Sequence, residues 1–268
     1  MYRLALLLLV SLLASSFVYA AEDFPGRTHN KYKNVPYIEL NDLHSRLANV
    51  TIVDVRSAFE FNTLKIKSAI NIPVAFDTFE DEVKKLHAKT KKTLVFYCNG
   101  HTCMKSYAAA QRAKEAGLDD VLAFDAGIFD WTKAHPDQAV LLGQSPVNIG
   151  DLIPKKKLKA RMLDPDKFSD MATQDQSKTL VIDIRDKFQR AGVGFFPGME
   201  RWTSLNDMDK LYMHVKKAAA KNKTIYIYDE VGKQVRWLQY ALERLGVKNY
   251  YFMSDGARGY YKMIAKAP

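Results

Sequence analysis

Short apolar runs rich in β-branched and aromatic residues recur along the chain, and each is followed by a stretch of helical periodicity. In the first half, residues 51–55, 94–97 and 121–124 read as strands. Helices are predicted over 78–88 and over 104–116, the second carrying Ala108, Ala109, Ala110 and Ala113. In the second half, strands are predicted over 180–184, 225–228 and 250–253, with helices over 207–220 and 232–245. The runs are apolar throughout rather than alternating, as expected of strands covered on both faces. Each half therefore reads as α/β, a mainly parallel sheet flanked by helices. In such sheets ligands bind beyond the strand C-termini, beside the helix N-termini, so chemistry is expected just after Tyr97 and Tyr228.

The two halves repeat each other. Thr51-Ile-Val-Asp54-Val-Arg56 matches Leu180-Val-Ile-Asp183-Ile-Arg185, and Leu94-Val-Phe-Tyr97 matches Ile225-Tyr-Ile-Tyr228, at offsets of 129 and 131. Ala116-Gly117 before 121–124 matches Leu245-Gly246 before 250–253, and Gly127 matches Gly256, both at offset 129. Ordered matches at nearly one spacing indicate a duplicated domain. The Gly-, Ser- and Pro-bearing stretch around 142–150 has a linker's composition. The expected organisation is one domain over 36–138, a linker over 139–154 and a second domain over 155–268.

At 268 residues, 47% hydrophobic and 26% charged, the chain has the composition of a folded protein with ample core. Residues 1–20 carry one charge, Arg3, then an apolar run interrupted by Ser11, then Val18-Tyr19-Ala20, the pattern of a secretory signal cleaved before Ala21. The mature chain is then expected to be exported, periplasmic or secreted, with no membrane span left after cleavage. Nucleic acid is not an expected partner there. The charge is uneven: residues 21–153 hold 16 Lys and Arg against 17 Asp and Glu, whereas 154–268 hold 23 against 13. Lys216, Lys217, Lys221 and Lys223 read as solvated helix positions, and the alternative is a surface for an acidic protein or anionic lipid.

Both cysteines of the protein lie in one loop, Cys98-Asn99-Gly100-His101-Thr102-Cys103-Met104-Lys105-Ser106, between the strand ending at Tyr97 and the Ala-rich helix. Two cysteines are too few for a disulfide scaffold or a closed zinc site, and no metal or other cofactor is expected. Backbone N–H groups and the positive end of a helix dipole favour a thiolate, so a thiol in this loop is expected to have a lowered pKa and to act as a nucleophile. Both cysteines lie near the helix start, and Cys98, at the strand end, is preferred over Cys103 by its position there. The same cradle suits an anionic substrate, with His101 and Lys105 adding donors or charge. The sequence shows His101 no partner.

Four segments resemble the signature stretches of rhodanese domains, in their order and spacing. They are Asp54-Val-Arg56, Ala69-Ile-Asn-Ile-Pro73, Tyr97-Cys98-Asn-Gly100 through Ser106 to Ala109-Ala110, and Asp125-Ala-Gly127-Ile-Phe-Asp-Trp131. The resemblance covers about residues 36–136, with a weaker copy over about 175–264, and so implies a tandem rhodanese-like protein. It further implies a sulfurtransferase, in which Cys98 takes the outer sulfur of a small sulfur-containing anion such as thiosulfate. The Cys98 persulfide then passes that sulfur to a thiol or protein acceptor. The loop is about two residues longer than in typical members and lacks their Arg, Lys105 being its only strongly basic residue. In the second half Asp229 stands where Cys98 stands in the first, and a carboxylate carries no sulfane sulfur, so that domain resembles an inactive partner.

Two other functions stay open from the residues: a non-catalytic sulfur-relay or binding module, and a thiol-disulfide redox protein using Cys98 and Cys103 as a pair. The phosphatase alternative lacks the phosphate-clamping Arg that would be separated from the cysteine by five residues. Asp54 with Arg56, and Asp183 with Arg185, occur in both halves, including the half without a thiol, and are read as fold-holding pairs.

Overall fold

A computed structural model describes residues 24–191 and 194–266. The expected signal over 1–20 lies outside the described residues. The chain divides into two compact units between Ile149 and Gly150. Among the described residues no helix is long and apolar enough to cross a membrane.

The first unit opens with a short helix α1 (Pro25–Thr28) and a helix α2 (Leu40–Ser45), then strand β1 (Val50–Asp54), helix α3 (Ala58–Thr63) and strands β2 (Leu64–Ile66) and β3 (Ile70–Asn71). Helix α4 (Phe79–Thr90), β4 (Thr93–Tyr97), α5 (Lys105–Glu115), β5 (Val121–Phe124), α6 (Gly127–Ala134) and β6 (Ala139–Leu141) complete it. The main sheet runs β3-β1-β4-β5, every pair parallel, and β2 pairs with β6 in a separate antiparallel ribbon. All five residues of β1 are buried, as a strand covered on both faces requires.

Side chains alternate along β4. Leu94 and Phe96 enter the apolar cluster that holds Phe79 and Val83 of α4 and Ala109, Ala110 and Ala113 of α5. The alanines let α5 lie close on the sheet, and Cys98, next in that parity, enters the same cluster. The register pairs Asp54 with Tyr97, so the residues that follow both strands emerge at one end of the sheet.

The second unit repeats the plan with α7 (Lys155–Lys159), β7 (Met162–Leu163), α8 (Pro165–Thr173), β8 (Thr179–Asp183), α9 (Lys187–Arg190) and β9 (Glu200–Trp202). It ends with α10 (Met208–Ala220), β10 (Thr224–Tyr228), α11 (Val235–Arg244), β11 (Tyr250–Met253) and α12 (Gly256–Ile264). Its sheet is parallel in the order β7-β11-β10-β8-β9, and β8 and β10 pair Asp183 with Tyr228. The major strands and helices lie where the apolar pattern put them, within a few residues at each end. The two- and three-residue strands β2, β3, β6, β7 and β9 carry too little pattern of their own to be read locally. Lys216, Lys217 and Lys221 are exposed, as solvated helix positions are.

Candidate active site: the loop between β4 and α5

The scaffold beneath the loop is a buried ion pair. Arg56 Nε and one terminal nitrogen donate to the two Asp54 carboxylate oxygens at 2.9 and 2.6 Å, with both side chains fully buried. Arg56 also donates to the Leu64 carbonyl at 2.6 Å and to Asn99 Oδ1 at 3.2 Å, which ties β1 to the loop. Asn71 caps this edge, its amide donating to the carbonyls of Asp54 and Arg56 at 3.0 and 2.9 Å. Asn99 in turn donates to Glu60 at 3.4 Å, and Glu60 closes a capping box with Ser57 at the start of α3.

From the other side α6 presses on the loop. Gly127 has φ +67°, and a Cβ there would lie 2.3 Å from the Gly100 backbone nitrogen. The Ile128 N–H donates to the Cys98 carbonyl at 3.0 Å, and the His101 N–H donates to the Asp125 carbonyl at 2.7 Å. The His101 ring has partners that the sequence did not reveal. It lies 2.6 Å from Asp130 of α6 and stacks on Phe24 at 4.4 Å. Asp125 anchors a second set of contacts, accepting from Tyr107 Oη at 2.7 Å and from Arg27 at 2.8 and 3.0 Å. Phe24, Arg27, Tyr107 and Asp130 were not among the residues read as functional. Only Asp130 had a signal, its place one turn into the helix that follows Gly127.

The two thiols are free and differ in setting. Cys98 is 0% exposed and donates to the Cys103 carbonyl at 3.1 Å, with Ser106 Oγ at 3.8 Å. Burial pushes the Cys98 thiol well up, and the neighbouring Cys103 adds to this, against the backbone N–H groups of Gly100 and Ser106. Cys103 is partly exposed and is drawn down to about 6. The neighbouring Cys98 thiol leads this shift, burial opposes it, and the N–H groups of Lys105 and Asn99 and the Lys105 charge add to it. The lowered pKa expected of a thiol in this loop is thus found at Cys103 and not at Cys98. The first N–H of α5 serves Cys103, while the strand's alternation sends Cys98 into the core. Thr102 and Lys105 are exposed, Met104 packs against the apolar cluster and Ser106 is buried. Among the described residues no three His, Cys, Asp or Glu side chains converge as a metal-holding group.

The rhodanese-like domain model matches residues 39–134 and 164–263, most of each unit. The chain belongs to the rhodanese-like family. A stretch of 85 residues is 35% identical to the HTH-type transcriptional regulator Rv0324 of Mycobacterium tuberculosis, covering 32% of this chain and 35% of that one. The chain therefore spans about a third of that regulator's length. Among solved structures, the BH2092 protein of Bacillus halodurans is 23% identical over 51% of this chain and 97% of its own, with a TM-score of 0.37. A thiosulfate sulfurtransferase from Pseudomonas aeruginosa is 18% identical over 85% of this chain and 44% of its own, with a TM-score of 0.36.

The second rhodanese-like domain keeps the scaffold and changes the occupant. Arg185 donates to Asp183 at 3.0 and 2.8 Å, both buried, and Gly256 has φ +55° with a Cβ position 2.4 Å from the Asp229 carbonyl. Asp229, at the position of Cys98, accepts from the backbone N–H groups of Val231 at 3.0 Å and Val235 at 3.2 Å, and from those of Gly232 and Gln234. Its carboxylate fills the cradle that a loop-bound anion would occupy.

Proposed function

We propose that this protein is a sulfurtransferase whose first domain moves a sulfane sulfur from thiosulfate or a related small anion to a thiol or protein acceptor, with Cys98 carrying the persulfide. One observation carries the reading: a rhodanese-like domain presents a cysteine at the C-terminal end of its central strand, its sulfur faced by the N–H groups of Gly100 and Ser106. Those donors stabilise a persulfide anion, and the apolar surroundings shield it from water. In the second domain Asp229 satisfies the cradle internally, which supports an inactive partner domain. The N-terminal leader supports an exported protein.

Intact mass of the reduced protein after exposure to thiosulfate tests the activity. The expected result is a gain of one sulfur that cyanide removes as thiocyanate, and absence of any gain overturns the reading. Signal-sequence processing in cell fractions tests export. A second reading, a reversible Cys98–Cys103 disulfide, is favoured by the two free thiols sharing one loop, with the Cys98 sulfur 3.1 Å from the Cys103 carbonyl. Redox titration checks it, the expected signature being a loss of two hydrogens under mild oxidant with a defined reduction potential.

A further inference from the structure

The two thiols sit at different depths along one path. Cys98 is wholly buried under α5, and Cys103, partly exposed, occupies the turn above it. The Cys103 N–H donates to the Gly100 carbonyl at 3.0 Å, and the Cys103 carbonyl accepts from Cys98 at 3.1 Å, so the outer residue forms the roof of the inner one. A donor anion arriving from water reaches the Cys103 side first, where Lys105 is exposed and its N–H and that of Asn99 face the sulfur. The donors around Cys98, the N–H groups of Gly100 and Ser106 and the Ser106 hydroxyl, suit an anion that is being kept rather than one that is being met.

Resting on the sulfur-transfer reading above, we propose that Cys103 is a second catalytic residue: it takes the sulfane sulfur from the donor and hands it inward to Cys98. In the first step the Cys103 thiolate attacks the outer sulfur of a thiosulfonate-type donor such as thiosulfate. A sulfur–sulfur bond forms to Cys103, the donor's own sulfur–sulfur bond breaks, and sulfite leaves with the electron pair. In the second step the Cys98 proton passes to the outer sulfur of the Cys103 persulfide, and the Cys98 sulfur attacks that same outer atom. The bond from Cys103 to the outer sulfur breaks, the proton on the outer sulfur passes to the departing Cys103 sulfur, and Cys98 holds the persulfide as an anion. Neither step oxidises or reduces the protein beyond moving one sulfane sulfur, and the acceptor reaches that sulfur by the reverse path through Cys103. Burial pushes the Cys98 thiol up, whereas the neighbouring Cys98 thiol and the N–H groups of Lys105 and Asn99 draw Cys103 down, so the thiolate form is favoured at the outer position. The charged groups facing this pair are Lys105, beside Cys103, and Glu60, whose carboxylate is under the influence of Lys105 and Arg56.

The test is the time course of sulfur loading by thiosulfate in the full mature chain, read by intact mass and peptide mapping, for wild type, Cys98→Ser and Cys103→Ser. Wild type is expected to load with the sulfur found on Cys98, and Cys98→Ser to load with the sulfur on Cys103. Cys103→Ser is expected to load about tenfold more slowly or worse, since its remaining thiol is mostly protonated. In native wild type, iodoacetamide should modify Cys103 with a midpoint near pH 6 and reach Cys98 only after unfolding. Loading of Cys103→Ser at the wild-type rate, failure of folded Cys98→Ser to load, or first alkylation at Cys98 each overturns the relay and leaves Cys98 acting alone. Failure of wild type itself to gain sulfur overturns the transfer reading instead.

Discussion

The loops after β4 and β10 stand on the same supports and differ in what they hold. Each follows a strand whose last Tyr is in register with the Asp of a buried Asp-x-Arg pair, and each is pressed by a left-handed Gly that opens the next helix. Each is also tied to that helix by a side-chain contact, the His101 ring with Asp130 in the first domain and the Glu230–Arg258 ion pair in the second. Only the occupant changes. Asp229 brings a carboxylate that its own backbone N–H groups satisfy while burial raises its pKa, whereas Cys98 brings a buried thiol. A carboxylate in the cradle stabilises a fold, and a thiol there keeps the same donors available for chemistry.

The comparison breaks first at the supports. Arg56→Ala leaves Asp54 buried and unpaired and should cost about 3–5 kcal/mol, read as loss of stability of the first domain in denaturant unfolding. Arg185→Ala should cost less, because Asp183 keeps Arg190 at 3.1 Å. Equal losses would show that Arg190 does not share the load. Asp229→Ala strands four backbone N–H groups and should destabilise the second domain by about 2–3 kcal/mol, while Cys98→Ala, removing a neutral group with one short hydrogen bond, should cost the first domain less. The contrast is sharpest in hydrogen exchange of the loop amides, expected to rise in Asp229→Ala at 231, 232, 234 and 235.

Gly127→Ala and Gly256→Ala force a Cβ into the backbone of the loop at a positive φ and should each cost about 1–3 kcal/mol. In the first domain the change should also slow sulfur loading, whereas in the second it should leave loading untouched. The smallest effect belongs to the outer side-chain contacts. Asp130→Asn should shift stability by under about 1 kcal/mol in thermal unfolding, because the His101 and Asp130 side chains are 40% and 32% exposed.

Much of this site was legible in the residues. The Asp-x-Arg repeat in both halves marked a structural pair, and Gly127 and Gly256 marked a tight turn into a helix. The partners of His101 were not legible, because Asp130 and Phe24 reach it across 29 and 77 positions and neither spacing carries a pattern. Arg27, held between the Phe24 and Tyr37 rings at 4.2 and 4.1 Å while bridging Asp125, was hidden for the same reason.

The sequence by itself determined the duplicated α/β plan, because periodicity of apolar positions is a local property that survives in one dimension. It also determined which loop holds the thiols and which holds a carboxylate. Tertiary structure alone decided how deeply each of the two thiols is buried. Both are near a helix start in the sequence, but burial depends on where α5 crosses the sheet and where α6 presses the loop. That packing places Cys98 in the core with its proton and turns Cys103 toward water beside Lys105. Desolvation is a property of neighbours in space, and it outweighs the helix-end donors that the spacing of residues had suggested.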